Sequence, residues 1–263
     1  MIKKEFKNNL KSFIIWSSVL IVMFVLVFAI YPFILTDETV ESLDEMMKVF
    51  PPELLKTFNM DITSINTAYG WLKSEGFMFI LLITGIYSSF LGINILLKEE
   101  SDKTIEYLSF LPIKRCSILT KKIIVSLTYI LGIALLIGVV NFIALTISGD
   151  FNRKEYLLLI ISPIFPSIVL FSLNLLISTF LKSGKKSIGI SLGIVFISYL
   201  LSMLSEVSEK VEGLKYLSVY TLADVRHIIE FTSISIPCIV ISIILSIVFI
   251  TFSYIRYNKK ELV

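Results

Sequence analysis

Between Lys98 and Lys122 the chain reads KEESDKTIEYLSFLPIKRCSILTKK. The acids Glu99, Glu100, Asp102 and Glu106 come first, and the bases Lys114, Arg115, Lys121 and Lys122 come last. Ile105, Leu108 and Leu111 recur every three residues, an apolar stripe on a short helix that Pro112 must end. Such side chains break no bonds. An apolar stripe rimmed by oriented charge is suited to docking, where charge sets register more than affinity. A sharp corner at Pro112 and a second short helix entering the following apolar run would complete a rigid elbow.

Other chemistries fail on their residues. Gly184-Lys185-Lys186-Ser187 has a second lysine where a phosphate loop needs Ser or Thr, and Thr179 stands where its first glycine belongs. The single histidine, His227, has no partner motif, and neither HExxH nor GxSxG occurs. No catalytic residue, metal-ligand set or cofactor bound by this chain is therefore expected. Two cysteines, Cys116 and Cys238, lie too far apart in the expected layout to form a disulfide. A formal net charge of +3 does not point to nucleic acid.

The elements that must position the charged segment are membrane spans. Hydrophobic residues make up 56% of the chain. A helix needs about 20 apolar residues to cross the hydrocarbon core. Six stretches approach or exceed that length: 13–35, 77–97, 123–147, 156–181, 187–204 and 234–254. None contains Asp, Glu, Lys, Arg or His, which removes the usual means of ion-coupled transport. The first run has 23 residues, beyond the roughly 7–15 of a signal-peptide core, and is expected to remain as an anchor. With the N-terminus inside, the inner segments carry 16 basic residues and the outer ones 8, so both termini are expected in the cytoplasm. The chain then reads as one all-α polytopic membrane domain over residues 1–263.

Outside the spans, Ile2, Phe6 and Leu10 alternate with lysines as an amphipathic helix at the inner surface. The first outer loop, with Met46, Met47, Val49, Phe50, Leu54, Leu55 and Phe58 around Pro51-Pro52, reads as two short helices. Leu222, Val225, Ile228 and Ile229 form a stripe in the last outer loop. Pro163 and Pro166 should bend the fourth span, and Pro237 the sixth. Gly189 and Gly193 would let the fifth span approach another helix closely.

The inner segment resembles the signature of permease subunits of type-2 ATP-binding cassette (ABC) transporters. It has Glu100, then Lys103-Thr104-Ile105-Glu106-Tyr107-Leu108, then Pro112-Ile113-Lys114-Arg115, then Lys121 before the third span, with Lys103 where glycine is commonest. The resemblance extends to the amphipathic start, Phe50-Pro51-Pro52 and the ending Tyr257-Asn258-Lys259-Lys260-Glu261-Leu262. It implies six spans and dimerisation with a second copy or a sister permease. It also implies separate cytoplasmic ATPase subunits that bind ATP and Mg, and in many relatives export from the cell. It assigns coupling to Glu100, Thr104, Ile105, Leu108, Leu111, Pro112 and Arg115. Asn94, Gly189 and Gly193 fall on the second and fifth spans, which by the same resemblance face the dimer axis or path. Two alternatives stand beside it. One is a non-transporting scaffold or sensor. The other is a CAAX-type membrane protease, whose EExxxR motif Glu99-Glu100 and Lys103 approximate but whose intramembrane histidines are missing.

Overall fold

The structure is a computed structural model that describes residues 2–34, 45, 49, 67–101, 114–181, 184–207 and 209–260. Among these residues all regular structure is helical. The helices are α1 (Ile2–Ile34), α2 (Ala68–Trp71), α3 (Phe77–Ser101), α4 (Arg115–Ser148), α5 (Arg153–Ile161), α6 (Ile164–Ser178), α7 (Gly184–Val207), α8 (Val225–Phe231) and α9 (Ile236–Lys259). Six helical segments are long and apolar enough to cross a membrane. They follow the six expected spans: α1, α2 with α3, α4, α5 with α6, α7 and α9.

The spans differ from the expectation mainly at their ends. The amphipathic start and the first span form one uninterrupted helix, about 50 Å long at 1.5 Å per residue. Its first turns lie against protein on one side: Tyr129 Oη donates to the Phe6 carbonyl at 2.6 Å, and the Phe6 and Tyr129 rings lie 5.5 Å apart. The second span begins earlier than expected. A π-helical turn, Leu72–Gly76, joins α2 to α3, so Lys73 and Glu75 lie on the span's own helix rather than in a loop. Lys73 is accommodated by an ion pair with Glu155 on α5 at 3.2 Å. The expected second short helix before the third span is absorbed into α4, which runs unbroken from Arg115.

Prolines act where backbone hydrogen bonding dictates. Pro163 separates α5 from α6, because it lacks the N–H that would continue the helix. Pro237, expected to bend the sixth span, instead occupies the first turn of α9, where an amide hydrogen has no partner to lose. It starts that helix. Met46–Phe58, expected to form two short helices, lies outside the described residues.

The core is the seam between α3 and α6, the second and fourth spans. α9 lies along α6, α1 along α4, and α7 along α3. Gly92 lets α3 approach until an added Cβ would stand 2.3 Å from the Phe171 carbonyl oxygen. One face of α3 further out, Gly85 makes room for Tyr220, whose hydroxyl would lie 1.9 Å from a Cβ there. Burial pushes the Tyr220 pKa up, so the phenol stays protonated.

The last outer loop is helical, as its stripe predicts: two 3₁₀ segments, Glu209–Tyr216 and Tyr220–Ala223, precede α8. Leu222, Val225 and Ile228 are buried, whereas Ile229 is exposed. Asp224 adopts a left-handed backbone, φ 37° and ψ 62°, and caps α8 by accepting from the His227 amide at 3.4 Å. The loop is tied to α7 by Ser198, whose Oγ accepts from the Val219 amide at 2.8 Å and whose carbonyl accepts from Ser218 Oγ at 2.6 Å.

Candidate functional site

The two helices that flank residues 102–113 end in a buried charge cluster. Lys122, on the second full turn of α4, is only 4% exposed. Its Nζ lies 2.7 Å from Glu99 on the last turns of α3 and 3.4 Å from Glu5 near the start of α1. An ammonium out of water is tolerable only with such partners. The cluster joins three helices at the end of the bundle that carries both described termini. Lys98 adds a second link to α1, donating to the Asn8 carbonyl at 3.4 Å.

A second set of contacts joins the start of α4 to the end of α9. Arg115 Nη1 donates to the Lys260 carbonyl at 2.8 Å. The Asn258 amide donates to Cys116 Sγ at 3.2 Å, and Thr120 and Tyr254 share a 2.6 Å hydrogen bond. Lys260 Nζ reaches the Leu181 and Ser178 carbonyls at 2.9 and 3.4 Å. A cation at the C-terminal end of α6 meets both the unpaired carbonyls and the negative end of the helix dipole. Arg256 stacks over Phe180 at 5.1 Å. This end of the molecule is therefore a cross-braced plate of α1, α3, α4, α6 and α9, and residues 102–113 connect two of its members.

Among the described residues to which the resemblance assigns coupling, Arg115 donates to the Lys260 carbonyl and so braces α4 against the end of α9. Glu100 lies on the last turn of α3. Thr104, Ile105, Leu108, Leu111 and Pro112 lie outside the described residues. Asn94 is half-buried on α3. Gly189 and Gly193 face open space, with nothing within 4 Å of an added Cβ. They support no close approach within the chain, whereas Gly85 and Gly92 do. Local pattern does not reveal Glu5 and Lys122 as the cluster that holds Glu99. The available signal was one acid among the N-terminal lysines and a lysine at the lip of the third span.

Residues 1–262 match the family described as ABC-2 family transporter protein. The chain belongs to that family. Neither a curated protein nor a solved structure matches it. The permease is thus a multi-pass membrane component of an ABC transporter, and its braced plate brackets the segment that carries the family-like signature.

Proposed function

We propose that this permease is the membrane half of an ATP-driven exporter in the cell membrane, with both termini in the cytoplasm. It works as a dimer, with a second copy or a sister permease, on separate ATPase subunits that bind ATP and Mg. Residues 102–113 are the coupling element. Ile105, Leu108 and Leu111 enter a cleft on the ATPase; Glu100, Glu106 and Arg115 set register around them as charge pairs, Thr104 belongs to the same element, and Pro112 turns the chain back to the membrane.

The observation that carries this function is the Glu5–Lys122–Glu99 cluster. A push delivered between α3 and α4 reaches α1 through buried charge and α9 through Arg115. Such a linkage moves spans as bodies and does not dissipate the push in a loop. The open face at Gly189 and Gly193 supports a contact between protomers on the fifth span, with Asn94 beside the path.

Leu108→Asp tests the coupling role. Truncating an interface anchor costs about 1–3 kcal/mol of binding, so capture of the ATPase and its stimulation by the permease should both fall about tenfold or more. The variant should insert and melt like the parent. Unchanged capture and stimulation would overturn the assignment. Accessibility of single cysteines at Asn152 and Lys260 to an impermeant reagent tests the orientation: the first should react from outside and the second should not.

A further inference from the structure

A cleft of about 720 Å³ lies between the fifth and sixth spans, at the end of the molecule opposite the termini. α7 packs on α3 and α9 on α6, and among the described residues α7 and α9 form no extended contact with each other. The gap between them is floored by Leu81, Val169 and Leu173 and walled by Leu245 and Phe249. From Pro237 to Phe249 the lining follows α9 for about 18 Å, which carries it deep into the hydrocarbon layer. The mouth is different. Among the described residues it carries Glu212, Lys215, Asp224 and Arg226, two charges of each sign, with Lys215 and Glu212 paired at 2.5 Å.

The deep part of the cleft, lined by Leu81, Val169, Leu173, Leu245 and Phe249, offers water few of the two to four polar partners it needs, whereas Tyr199, Ser202, Ser218 and Thr221 make the outer part polar. The cleft's volume lies in the range of ligand sites, and its division into apolar depth and charged mouth matches an amphiphile. We propose that the cleft holds one acyl chain of a zwitterionic glycerophospholipid from the surrounding bilayer, with its headgroup at the mixed-charge mouth. Balanced charge at the mouth selects a headgroup that carries both signs over an anionic one. Placing this lipid in the outer leaflet rests on the orientation proposed above; its presence in the cleft does not.

The test uses the full-length permease in nanodiscs containing a trace of phosphatidylcholine with a photoreactive acyl chain. Nanodiscs expose both leaflets, so failure here would leave the orientation untouched. Peptides from α9 and from the second half of α7 should be labelled about fivefold more than α4 peptides containing the exposed Leu135. Leu245→Trp and Leu173→Trp, which fill the cleft from its α9 wall and from its α6 floor, should each remove most of that excess, whereas Leu135→Trp should not. Gel filtration and helical content identify variants that fold. A photoreactive phosphatidylglycerol should label no better than the phosphatidylcholine. Uniform labelling, or labelling indifferent to both cleft-filling variants, overturns the proposal. Preference for phosphatidylglycerol overturns the zwitterionic headgroup. Capture of a soluble lysophosphatidylcholine analogue alone overturns the bilayer lipid in favour of an exported amphiphile. A disulfide between two Met203→Cys chains overturns it in favour of a second copy.

Discussion

The central seam and the peripheral helices of this permease share side-chain packing but differ in what is added to it: glycine close approaches at the seam, polar ties around it. Along α3 and α6 the join is made by shape: Gly92 brings α3 against the Phe171 carbonyl, and Gly85 receives Tyr220. Around that seam, α1, α7 and α9 also pack by side chains, with Leu20 and Phe24 of α1 and Val195 of α7 buried, and they add polar ties. Lys122 grips Glu5, Ser198 grips the outer loop, and Lys260 grips the end of α6. Lipid tails are as apolar as leucine, so burial alone supplies little drive to associate helices in a bilayer; close packing and polar contacts must do it. A rigid centre with ends tied by polar bonds suits a machine whose spans must shift together without coming apart.

The largest effect is expected from cutting an end tie. Lys122→Ala leaves two carboxylates buried without their cation and should cost about 3–5 kcal/mol. The check is thermal unfolding followed by loss of helical signal. Replacing all three members with neutral residues of similar size (Glu5→Gln, Glu99→Gln, Lys122→Met) should restore most of that stability. It should nevertheless weaken ATPase coupling, because the cluster then no longer links α1 to the elbow. Restored stability with undiminished coupling would show the ties to be structural only.

Gly92→Ala attacks the seam and should cost about 1–3 kcal/mol, because the opposing atom is backbone and cannot rotate away. Ser198→Ala should cost about 1–3 kcal/mol by leaving the Val219 amide without its acceptor. It should also speed proteolysis within 209–223 in native membranes. Gly193→Ala should be the mildest change: nothing lies within 4 Å of the new methyl, and replacing a helical glycine gains about 0.5–1 kcal/mol. A gain in monomer stability together with a weaker protomer cross-link on the fifth span would mark that face as the dimer contact. A large loss of monomer stability would erase the distinction between seam and periphery.

The glycines show how far local pattern carries. Gly189 and Gly193 have the four-residue spacing that sequence reasoning favours, yet they face open space. Gly85 and Gly92 are seven apart, two turns of one helix face, and they make the close approaches. Spacing tells which residues share a face. It does not tell which face meets another backbone. The charges behave similarly. Lys73 and Glu75 look like loop residues because they precede the apolar run, but Lys73 lies opposite Glu155 and the helix continues through it.

What the sequence determined by itself is local or follows from bulk partitioning. The six apolar runs specify six helices, because a bilayer leaves unpaired backbone groups no alternative. Pro163 specifies a break, because a missing amide hydrogen cannot be supplied from elsewhere. The last outer loop shows its buried stripe in advance through Leu222, Val225 and Ile228. Only the tertiary structure decided which spans form the centre, which glycines are tight, and that Glu5, Glu99 and Lys122 meet. Those outcomes depend on contacts between residues far apart in the chain. In hydrocarbon, where every apolar face is equally content with lipid, complementary shape and paired charge make that choice, and neither can be read from one helix at a time.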